Sequence, residues 1–236
     1  MTQAMIAVLV PTALAILAAA ISIFRQPGER LTSGIQHFAA GLVIAAVMVE
    51  LVPEMTKGHP SIMVPGFAAG VALMLGVKLF AQSKADRDDG SAVVATAGFT
   101  LLITVAIDLW VDGFLLGMTL GSETIHSLSL IVALAMEVAF LALATTTALL
   151  SNGETSQSAF AKTFGVILPF PIGALIGYLI SGALSGAALI FAISFAAAAL
   201  LYLVVEELLV EAHAGGDTPW GTALFFVGFL IVLLIE

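Results

Sequence analysis

Asp108 and Asp112 stand four residues apart inside an apolar stretch that runs from about Ala92 to Leu120. A carboxylate at the centre of a membrane helix costs about 2.5–3.5 kcal/mol on insertion scales, so two on one helical face need compensation. At a spacing of i, i+4 their side chains share that face and can converge on one ion or one proton. Two ionised carboxylates with no counter-ion repel, so an empty site holds at least one proton, which an incoming cation displaces. No Lys or Arg lies mid-span opposite them, which removes the usual structural explanation, a buried ion pair, and favours a bound cation over a purely structural role. Glu137 falls about 11 residues into the next apolar stretch, near mid-depth at ~1.5 Å rise per residue, and is the natural partner of the pair. Neighbouring Met136 offers a thioether, with packing as its competing role. Any bound metal here must use oxygen, imidazole or thioether, because the chain has no cysteine.

The elements that position these groups are membrane helices. The chain is 61% hydrophobic and 10% charged, with mean hydropathy +1.15, whereas an ordinary soluble domain is ~45–50% apolar. Apolar windows at about 4–24, 33–55, 60–81, 92–120, 126–150, 163–181, 186–210 and 219–235 are each long enough to cross a bilayer, which takes roughly 17–25 residues. They predict eight spans in one domain, residues 1–236, without a soluble domain, so whatever the chain does happens inside the bundle. Polar punctuation separates them, including Arg25–Arg30, Lys84–Gly90 and Gly215–Pro219. Placing both termini outside puts Arg25, Arg30, Lys84, Arg87 and Lys162 on cytoplasmic loops or their flanks, with Lys78 near the inner end of its helix and Lys57 outside. The first span has no basic residues ahead of it and no evident cleavage site, and reads as a retained helix. The net charge of −9 excludes the basic footprint of a nucleic-acid binder.

The chain also repeats itself. Phe38 to Glu54 overlays Phe195 to Glu211 without a gap, matching Phe38 to Phe195, Glu50 to Glu207 and Glu54 to Glu211. With eight spans the second and seventh run in opposite directions, the pattern of an inverted repeat. A cation route follows, with Glu50 and Glu54 at the outer mouth, Asp108, Asp112 and Glu137 at mid-depth, and Glu206, Glu207, Glu211 and His213 at the inner mouth. The competing reading of the two outlying groups is carboxylates hydrated at helix ends. Gly113 and Gly117, with Gly173 and Gly177, form small-xxx-small steps that let the fourth and sixth spans approach closely. Pro169 and Pro171 are expected to loosen the first turn of the sixth, and Thr145, Thr146 and Thr147 to bond back to their own helix or line a polar path.

These segments resemble the ZIP (Zrt/Irt-like) family of divalent-metal transporters. Phe38-Ala-Ala-Gly through Glu50-Leu-Val-Pro-Glu54 is similar to that family's second span, Leu201 to His213 to its seventh, and Phe170-Pro-Ile-Gly-Ala-Leu-Ile-Gly-Tyr178 to its sixth. The resemblance implies an eight-helix bundle, all α, with spans 1–3 and 6–8 as inverted repeats around central spans 4 and 5. It implies a metal site on those central spans, but the motif is altered. The family's fourth-span H-N-x-P-E-G stands here as Asp108-Leu-Trp-Val-Asp112-Gly113. The fifth-span H-E-x-P-E-G aligns with Met136-Glu137, or in a shifted register that puts Glu137 on the second acidic position. Leu109 and Phe170 replace ligands of a second site, so one site is implied.

An all-carboxylate site moves preference from zinc toward Mn²⁺, Mg²⁺ or Fe²⁺, although it still binds zinc. The function expected on this resemblance is inward transport of a divalent metal ion across the plasma membrane, or the inner membrane of a bacterium. The alternative is a ZIP-fold protein that has lost metal transport and serves as a binding or regulatory membrane protein, or carries another small cation. The partners expected are the ion and the bilayer, with a homodimer possible. Both aspartates lie on one helix and no Gly-x-Gly-Asp motif is present, which argues against an intramembrane aspartyl protease and against an enzyme generally.

Overall fold

A computed structural model describes residues 2–25, 28–85, 93–121, 128–214 and 219–235 of the chain. Residues 86–92, including Arg87, and residues 122–127 and 215–218 lie outside the described residues, as does the side chain of Glu211. The described residues are helical, with no strand among them. In hydrocarbon every backbone N–H and C=O must find a partner within its own segment, which leaves a continuous apolar run no alternative to a helix.

The elements are α1 (Thr2–Phe24), α2 (Glu29–Ala46), a π-helical turn (Val47–Leu51), α3 (Val52–Thr56), α4 (Pro60–Ala85), α5 (Val93–Leu120) and α6 (Leu128–Ser151). After them come α7 (Ser156–Ile167), α8 (Pro169–Ser181), α9 (Ala187–Leu203), a second π-helical turn (Val204–Leu208), α10 (Leu209–Ala214) and α11 (Pro219–Ile235). Among the described residues, seven helical stretches are long and apolar enough to cross a membrane, the last being Ala187–Leu208. The shorter α11 has 17 residues, about 25 Å at the usual rise against a hydrocarbon core of ~30 Å. Solvent preference is inverted relative to a soluble protein: Leu179 is 65% exposed and Phe226 63%, while Asp112 and Glu137 are fully buried. Lipid is the solvent that rewards that distribution.

Four helix pairings organise the bundle: α5 with α8, α1 with α6, α2 with α11, and α4 with α9. Glycine makes the first of these a backbone-to-backbone contact. A Cβ on Gly113 would lie 1.9 Å from the Phe170 carbonyl oxygen and one on Gly117 2.0 Å from that of Ala174, while Gly173 and Gly177 meet the Trp110 and Phe114 carbonyl oxygens in return. The small-xxx-small steps are therefore the contact itself. Gly41 and Gly228 do the same between α2 and α11, as do Gly66 and Gly70 of α4 against α9.

The two overlaid segments share an irregularity. Both break into a five-residue π turn at the same aligned place, Val47 opposite Val204 and Leu51 opposite Leu208, with Glu50 and Glu207 at equivalent positions inside. A π turn within an α-helix is rare and concentrates at functional sites.

The sixth apolar window begins earlier than its hydropathy indicates. Its helix starts at Ser156, where the Thr155 hydroxyl accepts the Ser158 N–H at 3.3 Å. The polar residues Ser156, Gln157, Ser158 and Lys162 hide that start. Pro169 and Pro171 consequently fall mid-way along the stretch from Ser156 to Ser181, and break it between Ile167 and Pro169 rather than loosening its first turn. From α7, Lys162 and Ser158 donate to the carboxylate of Glu154 in the preceding loop and hold it below the usual carboxylate range.

Candidate functional site

Asp108 and Asp112 face inward from α5, 4% and 0% exposed, and Glu137 faces inward from α6 at 0%. Their helices are in contact, so the three carboxylates occupy one interior region. The charge of Glu137 acts on Asp112 and that of Asp108 on Glu137, while Glu207 acts on both Asp112 and Glu137. Among the described residues, no hydrogen-bond donor reaches the carboxylate oxygens of Asp112 or Glu137. Two buried carboxylates without donors need a proton or a cation in place of water. The described residues contain no group of three His, Asp or Glu side chains drawn together tightly enough to hold a metal, so the arrangement is a loose acidic cluster rather than a closed coordination shell. Met136 is half-buried and packs against the apolar core. Leu109 and Phe170 are fully buried.

The π turns place the outlying carboxylates differently. Glu50 is buried, and one of its oxygens accepts the Ser129 hydroxyl and, at 3.0 Å, the Leu130 N–H. It thus caps the N-terminus of α6 from another helix, where free N–H groups and the helix dipole favour an anion. Glu54 forms an ion pair with Lys57 at 2.5 Å. In the second turn the adjacent glutamates part company. Glu206 pairs with Lys78 of α4, both partly exposed, whereas Glu207 is the one whose charge is felt by the central carboxylates. His213 of α10 is exposed, its Nδ1 2.5 Å from the Leu209 carbonyl oxygen. Thr146 and Thr147 donate to the Ala142 and Leu143 carbonyl oxygens, each at 2.8 Å, bonding back to their own helix.

Sequence reasoning missed three participants: Ser129, which meets Glu50; Lys78 as the partner of Glu206; and His37. The last is buried on α2, with its ring centre 4.8 Å from that of His213. A histidine in the first turns of an otherwise apolar span was the available signal.

Part of this chain is similar to a zinc transporter. Over 87 residues it is 34% identical to zinc transporter GufA of Myxococcus xanthus, a match covering 36% of this chain and 33% of that protein. The chain thus spans about a third of the length of the curated relative it matches. No family model matches.

Proposed function

We propose that this protein is a divalent-metal transporter of ZIP type, which moves an ion toward the cytoplasm through the chamber formed by Asp108, Asp112 and Glu137. The observation that carries the reading is that Asp112 and Glu137 are fully buried on neighbouring helices, with no donor among the described residues, in a bundle whose exterior is apolar. The partial match to a zinc transporter supports zinc as the cargo. The carboxylate-only donor set admits Mn²⁺, Fe²⁺ and Mg²⁺ as well.

In this reading α11 is the eighth span and the bundle is an inverted repeat. Support comes from the pairings. Exchanging span one with six, two with seven, three with eight and four with five turns α2–α11 into α9–α4 and α1–α6 into α8–α5, which are the other two observed pairings. The equivalent π turns support the same exchange. Glu207 stands where the chamber opens toward the end formed by α10, Glu54 lies at the opposite end, and both termini face out. The ion is handed between carboxylates as one helix group rocks against the other. The test is uptake by proteoliposomes: Asp112→Asn keeps the side chain's shape and removes its charge, and transport is lost while the unfolding temperature is maintained. Unchanged uptake in that variant overturns the assignment.

A second reading has its own support. The described residues hold no closed three-ligand group, which is what a binding or regulatory protein on the same fold would show. Calorimetric titration of the purified protein separates the two, because no saturable response to Zn²⁺, Mn²⁺ or Fe²⁺ would favour the second.

A further inference from the structure

The outer wall of the bundle is notched where α2 and α11 begin. Arg30, in the first turn of α2, and Trp220, the second residue of α11, line one cavity of about 470 Å³, with Leu31, Ile35, Phe38 and Leu224 among its apolar walls. Sites for small ligands occupy ~300–1,000 Å³. Further along, the same two helices close on each other. A Cβ on Gly41 would lie 2.0 Å from the Phe225 carbonyl oxygen, and one on Gly228 2.3 Å from that of Phe38. The notch is therefore a feature of the helix starts, with a charge at its rim and hydrocarbon along its sides.

That composition matches the boundary of a bilayer. Arg30 is exposed and opens the apolar run Arg30–Thr56, which sets it where hydrocarbon gives way to headgroups. Trp220 is 72% exposed, and tryptophan collects at that same level, its ring in the apolar layer and its N–H toward the polar one. Among the described residues no carboxylate pairs with Arg30, whereas Lys57, Lys78 and Lys162 each meet a glutamate. A guanidinium has five N–H donors and no acceptor, and phosphate oxygens take those donors in pairs.

The fold does not require an arginine at this place. Carried upstream without a gap, the overlay of Phe38 on Phe195 sets Arg30 opposite Ala187, and the two residues stand at the starts of α2 and α9. α9 packs on α4 as α2 packs on α11. The repeat thus builds the same helix start and the same kind of pairing without a charge, and Arg30 is an addition to that frame.

We propose that the notch between α2 and α11 binds one anionic phospholipid. The Arg30 guanidinium takes the phosphate, the Trp220 indole N–H donates to a headgroup oxygen, and an acyl chain lies along Leu31, Ile35 and Phe38. Such a lipid supplies both the negative charge that Arg30 lacks and the tail that the walls accommodate. A zwitterionic headgroup brings a compensating cation and is held less well. The inference goes beyond the transport reading and does not rest on it, because it requires only that the bundle sit in a bilayer.

Native mass spectrometry of the full-length chain in detergent reads the site, with phosphatidylglycerol and phosphatidylcholine of the same acyl chains added at equal concentration. One phosphatidylglycerol per chain is expected to be retained in preference. Arg30→Gln lowers that preference roughly fivefold or more, Arg30→Lys restores part of it, and Leu31→Trp, which fills the notch and leaves the charge, weakens retention of both lipids. Arg30 and Leu31 are exposed, so unchanged unfolding temperatures are expected of these variants. Equal retention of the two lipids by the parent chain, or a preference that Arg30→Gln does not alter, overturns the proposal. Displacement of the lipid by inorganic phosphate would identify an anion site without a tail, and a dimer abolished by Leu31→Trp would identify a second copy as the occupant; either result also overturns it. Uptake is measured separately, and its loss in Asp112→Asn or its persistence there bears on the transport reading alone.

Discussion

The carboxylate of Glu50 accepts the hydroxyl proton of Ser129 across 79 residues of chain and between two helices, and the same oxygen takes the Leu130 N–H. A π turn in the second span thereby closes the start of the fifth, the helix that carries Glu137. Glu50 is thus a structural cap of α6.

Glu50→Ala leaves a buried hydroxyl and a helix-terminal N–H without their acceptor. A loss of about 1–3 kcal/mol is expected, read as a lower unfolding midpoint in detergent. Glu50→Gln keeps a carbonyl acceptor and restores most of that stability. Reduced uptake by a stable Glu50→Gln protein would then assign the charge itself to the route.

Gly113→Ala should prise α5 from α8, because its Cβ would sit 1.9 Å from the Phe170 carbonyl oxygen. Overpacking of this kind costs about 1–3 kcal/mol. The change also moves the backbone next to Asp112, so both the unfolding midpoint and the uptake rate fall. An alanine there with wild-type midpoint and rate would show that the helices are not in backbone contact.

Removing the Lys78–Glu206 pair has little effect on stability. Both side chains are about 40% exposed, and exposed pairs contribute little. A double-mutant cycle through Lys78→Ala and Glu206→Ala should return a coupling energy close to zero. A much larger value would mean that the pair is shielded from water, as it would be at a closed gate.

Metal stabilises the chain if the chamber binds it. At a hundred times the dissociation constant the gain is ~2.7 kcal/mol, visible as a raised unfolding temperature in Zn²⁺ or Mn²⁺ that disappears in Asp112→Asn with Glu137→Gln. Equal shifts in both proteins would place the stabilising ion elsewhere.

Hydropathy and punctuation made the helices legible, because a run of apolar residues in lipid has one way to satisfy its backbone. The burial of Asp108, Asp112 and Glu137 was legible for the same reason: carboxylates are costly in an apolar run, and cost is visible in a sequence. What was not legible depended on direction. Glu206 and Glu207 are neighbours of one residue type, yet one meets Lys78 while the charge of the other acts on Asp112 and Glu137. Ser129 looked like an ordinary helix-start residue because its partner is far away in the chain. The early start of α7 was masked by the polar residues on its first turns, and the His37–His213 contact requires the beginning of one helix to meet the end of another.

The glycine seams give the chamber a mechanical character. Asp108 and Asp112 ride on α5, which is fused backbone to backbone with α8, whereas Glu137 rides on α6, which keeps company with α1. Under the proposed transport reading, the jaws that would grip an ion belong to different two-helix beams, α5 with α8 and α1 with α6. The separation of those beams would then work as a caliper set by the ion's radius and charge.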